Sequence, residues 1–200
     1  LAATLPGARL AGRSAPRAAR HPPVRGALSP PALARVLAAS LPDGAVLVST
    51  ALTASLAYAE AMHLAPPHTV LGLTGGGLDQ GPALAVGAAI ACPGRKVVNL
   101  LGDGSAAYLP QAFWTQARES LGIVTLIVAN RRYALLRREE PAAGGVADRL
   151  TRLEDPAVDW CAVARGFGVP ACRVDTAEDL SAALHRSLDA TGPVVIEALL

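Results

Sequence analysis

The stretch Leu100-Leu101-Gly102-Asp103-Gly104-Ser105 sets one carboxylate between two glycines directly after an apolar run. In an open α/β sheet, ligands bind outside the carboxyl ends of the strands, and Asp103 stands at such an end. Gly104 and Ser105 would let backbone N–H groups approach a phosphate closely. A carboxylate beside them repels that phosphate unless a cation lies between. The arrangement therefore asks for a metal, although G-D-G taken alone is more often a plain turn after a strand.

The next apolar run, Gly122 to Val128, is also followed by a polar residue, Asn130, 27 positions after Asp103. Neighbouring parallel strands bring their carboxyl ends together. A carboxylate oxygen, an amide oxygen, a backbone carbonyl, phosphate oxygens and water then make the all-oxygen octahedron that Mg²⁺ prefers. Asn130 alone is equally an ordinary turn residue. A glycine run, Thr74-Gly75-Gly76-Gly77-Leu78-Asp79-Gln80-Gly81, is ambiguous in isolation, because glycine-rich loops also hold dinucleotides. Its spacing is G-x-G-x-x-x-G, and no acidic residue ends a following strand at the ribose position.

These residues need strands to carry them, and the chain supplies an alternating series. Ser29-Pro30 caps a helix in which Leu33, Val36, Leu37 and Leu41 recur at helical spacing, until Pro42-Asp43-Gly44 stops it. A strand over 45–49, a helix over 53–64, a short strand over 70–73 and a small-residue helix over 82–91 follow. The series continues with a strand over 97–101, a helix over 110–120 and a strand over 123–128. Residues 139–155 show no clear period and read as a long surface loop that could act as a lid. A helix over 158–166, a strand near 172–174, a helix over 177–190 and a strand over 194–199 complete it. This alternation predicts a three-layer α/β/α fold with a mainly parallel sheet of about six strands.

Composition agrees with one such domain. The 200 residues are 52% hydrophobic and only 4% aromatic, so Ala, Leu and Val must build the core. Cys92, Cys161 and Cys172 are odd in number and form no C-x-x-C pair, which argues against a disulfide framework and a zinc site and fits a reducing cytoplasm. The apolar stretch 83–92 is too short to span a bilayer, so no membrane segment is expected. Arg9, Arg13, Arg17, Arg20 and Arg25 concentrate positive charge at the start, leaving 13 basic against 16 acidic groups elsewhere. Such a segment fits a transit peptide or a nucleic-acid arm. Its Ala and Pro content, without Lys or interleaved aromatics, favours an interdomain linker over 1–28 and no nucleic-acid partner. The folded domain is expected over 29–200. A first residue of Leu rather than Met suggests part of a longer polypeptide.

The motifs together resemble the thiamine-diphosphate-dependent enzymes of the acetolactate synthase and benzoylformate decarboxylase group, whose signature is G-D-G followed at this separation by two asparagines. Gly102-Asp103-Gly104-Ser105 and Ala129-Asn130 match it, with Asn130 on the second, metal-binding asparagine. Arg131 to Arg137 is similar to the family's continuation, Trp114 to Arg118 to its helix after G-D-G, and Gly192-Pro193 to its turn before the last strand. Three departures stand out: Ala129 replaces the first asparagine, Arg131 occupies a position often filled by Gly, and Ser49-Thr50 stand where relatives usually carry an acidic residue.

The resemblance implies thiamine diphosphate and Mg²⁺ as cofactors. Asp103, Asn130 and the backbone carbonyl of Arg132 would be the metal ligands. Leu52 and Thr53 would reach the diphosphate, with Gly102, Gly104, Ser105 and Tyr133 also lining the cofactor. Leu78 would wedge between the two cofactor rings, and the Gly76 carbonyl would accept from the 4′-amino group of the pyrimidine. The activating glutamate lies in this family on a pyrimidine-binding domain, of the same or a partner subunit, which no part of this chain resembles, so no catalytic residue is expected here. The function implied is that of a C-terminal cofactor-binding domain, in a homo-oligomer that decarboxylates or joins 2-keto acids. A benzoylformate-decarboxylase-like lyase and a truncated, non-catalytic binding module remain alternatives. His21, His63, His68 and His185 read as surface or packing residues, with His63 and His68 the two that could approach the pocket.

Overall fold

A computed structural model describes residues 23–137 and 144–200. In chain order the elements are α1 (Pro30–Ser40), β1 (Val46–Ser49), α2 (Thr53–Ala61), β2 (Thr69–Gly72), α3 (Gln80–Ala91), β3 (Val97–Gly102) and α4 (Asp103–Ala106). There follow α5 (Ala112–Arg118), β4 (Ile123–Ala129), α6 (Val146–Thr151), α7 (Trp160–Gly166), β5 (Ala171–Val174), α8 (Ala177–Asp189) and β6 (Val194–Leu199), with short 3₁₀ turns over Met62–Leu64 and Ala134–Leu136.

All six strands are parallel, in the order β2-β1-β3-β4-β6-β5. The two central strands are buried on both faces, which is why they read as unbroken apolar runs. Alternate residues feed opposite cores. Leu47, Val98, Leu100, Val124, Leu126 and Ile196 pack against Leu33 and Leu37 of α1, Tyr58 of α2, and Leu180 and Leu184 of α8. On the other face, Leu101, Ile127 and Val195 meet Phe113 of α5 and Trp160 of α7, while Val46, Val48 and Val97 meet Ala85 and Ala88 of α3. Each fully buried Leu among these contributes about 2 kcal/mol of transfer free energy. The result is the expected three-layer α/β/α arrangement.

Local chemistry sets the helix starts. The Ser29 side chain accepts from the Ala32 N–H with Pro30 in the first turn, and the Thr176 hydroxyl accepts from the Asp179 N–H. α3 begins at Gln80, ahead of the expected Pro82, because a first-turn residue has no intrahelical acceptor for the N–H that proline lacks. Within the region expected to be patternless, 146–151 is helical, too short for a period to show; residues 138–143 of that region lie outside the described residues. Residues 26–28 of the segment expected as a linker are bonded to the start of α8: Leu28 N–H donates to Asp175 O, and Ala177 N–H to Gly26 O. Residues 1–22 lie outside the described residues. No described helix is long and apolar enough to cross a membrane.

Strand order reverses between β1 and β3, since β1 leads outward to β2 whereas β3 leads the other way to β4. In a doubly wound sheet this reversal opens a crevice at the carboxyl edge.

Candidate functional site

β3 delivers its last residue, Gly102, opposite Val128 of β4, and the chain turns directly into the single turn α4 with Asp103 at its start. Asp103 is only 8% exposed. One carboxylate oxygen accepts from the Gly104 N–H at 2.9 Å, and the other from the Arg131 N–H at 2.7 Å. Burial nonetheless raises its carboxyl above the ordinary value, and these backbone donors offset that only in part; the charge of Glu197 pushes in the same direction as burial. Among the described residues no cationic side chain pairs with Asp103. A buried carboxylate with no counter-charge among the described residues, standing at the crevice edge, fits a bound cation.

Arg131 takes φ 54°, a left-handed conformation that aims its N–H at Asp103. The side-chain oxygen of Asn130 accepts from the Arg132 N–H at 3.1 Å, which curls residues 130–132 into a tight turn. Arg132 forms an antiparallel bridge with Arg152, and the ladder bonds are made by its neighbours: Tyr133 N–H donates to Thr151 O at 2.9 Å, and Leu153 N–H to Arg131 O at 2.8 Å. Tyr133 lies across Gly104 so closely that a Cβ there would stand 2.5 Å from its Cε1. Any side chain at 104 would have to displace the Tyr133 ring. Ser105 is 7% exposed in the same turn. A small cavity of about 50 Å³ beside Asp103 is lined by Tyr133, Leu153, Trp160 and Glu197 among others.

The two remaining segments sit on the same edge, across the switch point. Leu52, half-buried, adopts φ 48° and ψ −94° ahead of α2, which has no side-chain cap; the Ser55 hydroxyl instead ties the helix back to the loop before it, accepting from the Ala51 N–H at 3.0 Å and from Ser49 Oγ at 2.9 Å. Thr53 opens α2. Thr50 is fully buried, and both its N–H and its hydroxyl donate to Leu100 O, which ties this loop to β3. After β2, Gly75 and Gly76 have φ 64° and 74°, values that favour glycine. The Gln80 amide fastens this loop at both ends of one residue, accepting from Thr74 N–H at 3.1 Å and donating to Thr74 O at 2.6 Å. Gly76 is exposed and Leu78 half-buried.

Thus Asp103, Asn130, Arg132, Tyr133, Gly102, Gly104 and Ser105 are drawn together by the ends of β3 and β4. Leu52, Thr53, Gly76 and Leu78 stand at the carboxyl ends of β1 and β2. His68 does not join them: it lies ahead of β2 at the opposite edge, where its ring bonds Tyr58 Oη at 2.8 Å and Pro66 O at 2.7 Å. His63 bonds Glu60 O near the far end of α2. Sequence reasoning missed Ser55, Gln80, Asp148 and Glu197. Only Glu197 left a trace, as a carboxylate inside an apolar strand; it is 1% exposed and accepts from Arg173 Nε at 2.9 Å. Asp159, Cys161 and Glu197 bring their ligand atoms within 4.8 Å of one another, but Arg173 already compensates both carboxylates.

Comparison with known proteins fits this geometry. Residues 51–198 match the family model described as thiamine pyrophosphate enzyme, C-terminal TPP binding domain. Benzoylformate decarboxylase of Pseudomonas aeruginosa is 35% identical over 206 residues, covering 98% of this chain and 38% of that protein. The chloroplastic acetolactate synthase 2 of Brassica napus is 32% identical over 180 residues, covering 85% and 28% respectively. The solved thiamine diphosphate-dependent 4-hydroxybenzoylformate decarboxylase of Rhodococcus jostii RHA1 superposes with a TM-score of 0.75 at 33% identity, over 86% of this chain and 32% of that one. The chain therefore spans well under half the length of these relatives. With the match to the family model covering the switch-point loops and both strands that end at Asp103 and Asn130, the chain belongs to the thiamine pyrophosphate enzymes, as their C-terminal cofactor-binding domain.

Proposed function

We propose that this chain is the diphosphate- and metal-binding part of a thiamine-diphosphate- and Mg²⁺-dependent enzyme that decarboxylates 2-keto acids and joins the product to an acceptor, as acetolactate synthase does. The observation that carries the proposal is Asp103: a carboxylate 8% exposed, at the crevice edge, with no cationic side chain on it among the described residues. When bound, thiamine diphosphate supplies a carbanion for attack on the keto carbon. The protein's share is placement. Asp103, the Asn130 amide oxygen and the Arg132 carbonyl hold Mg²⁺. Leu52 and Thr53 face the diphosphate, Gly102, Gly104 and Ser105 line it, and the Tyr133 ring packs over Gly104. Leu78 wedges the rings, and Gly76 O accepts from the pyrimidine amine.

The proton acceptor comes from a pyrimidine-binding domain outside this chain, seated on the carboxyl edge, in a homo-oligomer. A simple decarboxylating lyase is the second reading, favoured by the likeness to a benzoylformate decarboxylase over 98% of the chain. Calorimetric titration with thiamine diphosphate and Mg²⁺ tests the site: Asp103→Ala abolishes metal-dependent binding and Asn130→Ala weakens it less. Unchanged affinity in Asp103→Ala removes the basis of the assignment. Assay of the full-length enzyme with pyruvate and with benzoylformate separates the two reactions.

A further inference from the structure

Asp148 is a buried charge hub outside the residues assigned to the cofactor. Its side chain is 7% exposed, and that of its partner Arg137 is 8% exposed. One carboxylate oxygen bonds Arg137 Nη2 at 3.0 Å; the other accepts from the Gly144 N–H at 3.0 Å and from the Arg152 guanidinium. Arg137 also reaches Thr151 Oγ1 through Nε at 3.0 Å and the Asp148 carbonyl at 3.3 Å. One carboxylate therefore joins four points of the chain, at 137, 144, 148 and 152. A short helix of six residues has little stability of its own, so α6 depends on such fastening.

The fastened segment is the one that meets the metal loop. Thr151 O receives the Tyr133 N–H, Arg152 bridges Arg132, and Leu153 N–H holds Arg131 O. Arg131 in turn gives its N–H to Asp103. Resting on the metal assignment made above, we propose that Asp148 is a positioning residue: by clamping Arg137 to α6 and Arg152, it holds the backbone of 131–133 in the geometry that presents the Arg132 carbonyl to the cation and Tyr133 to Gly104. Removing a contact that orders a metal ligand typically costs about tenfold or more in metal affinity.

The test uses the full-length protein and the variants Asp148→Ala, Asp148→Asn and the milder Arg137→Lys, with Asp103→Ala as reference. Hydrogen exchange is measured without cofactor, and Mn²⁺ affinity is measured at saturating thiamine diphosphate. Faster exchange at the Tyr133 and Leu153 amides is expected, with Leu126 and Val128 of β4 still protected, and an affinity loss of about tenfold. Arg137→Lys, which keeps a cation on Asp148, falls between and guards against misfolding of the harsher variants. Unchanged exchange at Tyr133 and Leu153 overturns the proposal. So does faster exchange with Mn²⁺ affinity kept within twofold while Asp103→Ala loses it, because the clamp would then serve the fold alone. Retained affinity in Asp103→Ala itself marks failure of the metal assignment, and the positioning role falls with it.

Discussion

The Arg131 N–H donates to Asp103 at 2.7 Å, so the loop after one central strand is pinned to the carboxylate at the end of the next. The bond is made possible by a left-handed arginine, and its acceptor is a buried carboxylate whose ionisation is opposed by its surroundings. Both features have measurable consequences.

Because burial raises the Asp103 carboxyl above 3.8, the cofactor-free fold holds its proton more tightly than the unfolded chain does. The contribution of Asp103 to stability is therefore greatest at low pH and is lost as pH rises from 3.8 through the folded value. On the metal assignment proposed above, a cation at Asp103 requires the ionised form, so loading in the acid range should expel a proton and affinity should climb with pH. Calorimetry of Mg²⁺-dependent cofactor binding in buffers of different ionisation heat should show this release in acid and its disappearance towards neutrality. A proton count that stays flat across the acid range contradicts it.

Arg131→Gly keeps the N–H that Asp103 uses and removes the strain of a side chain at φ 54°. The relief of about 1–2 kcal/mol is offset by about 0.5–1 kcal/mol of backbone entropy, so stability should stay within about 1 kcal/mol. Arg131→Val, β-branched in a conformation that such residues avoid, should cost more than Arg131→Gly. Denaturant melts of the two variants decide the matter, and equal stability would show that the loop can leave this conformation.

A methyl at residue 104 would lie 2.5 Å from Tyr133 Cε1. Gly104→Ala should cost about 1–3 kcal/mol and displace the ring. Combining it with Tyr133→Ala should recover part of that loss. Strict additivity in the double-mutant cycle would mean that the two residues do not touch.

Thr125 is fully buried on β4, paired in register with Asn99 of β3, and its hydroxyl has no hydrogen-bond partner among the described residues. Thr125→Val replaces that hydroxyl with a methyl of similar size, so the change should be neutral or stabilising by up to about 1–2 kcal/mol. A loss of stability in urea unfolding would indicate that the hydroxyl is satisfied by water.

Much of this architecture is legible in the residue pattern. Val97 to Leu101 and Ile123 to Val128 announce central strands because both faces are buried, and Ser29-Pro30 announces a helix because capping is local. The placement of Asp103 at a strand end follows from the same patterns. What is not legible arises from side-chain contacts that depend on the exact path of loops and short turns, even between residues only 4 to 11 positions apart. Ser55 accepting from the Ala51 N–H, Gln80 bracketing Thr74 and Asp148 joining Arg137 to Arg152 are ordinary polar residues in sequence, and become structural only when the backbone takes its folded path. α6 escaped notice because six residues carry too little periodicity. The possible approach of His63 and His68 to the pocket went astray because the direction of α2 and the start of β2 carry them to the other edge.

The β3–β4 ladder runs rung by rung from Val97↔Ile123 to Gly102↔Val128, and Asp103 comes immediately after its last rung. Two parallel strands joined through an intervening helix pair slowly, since the long loop must close before any rung rewards it. The carboxylate and the Arg131 amide meet only when that zippering is complete. A chain stalled short of the end, or slipped by one position, would present no binding geometry. Cofactor loading then acts as a finishing inspection, stabilising by mass action only those molecules in which the centre of the sheet has closed to its edge.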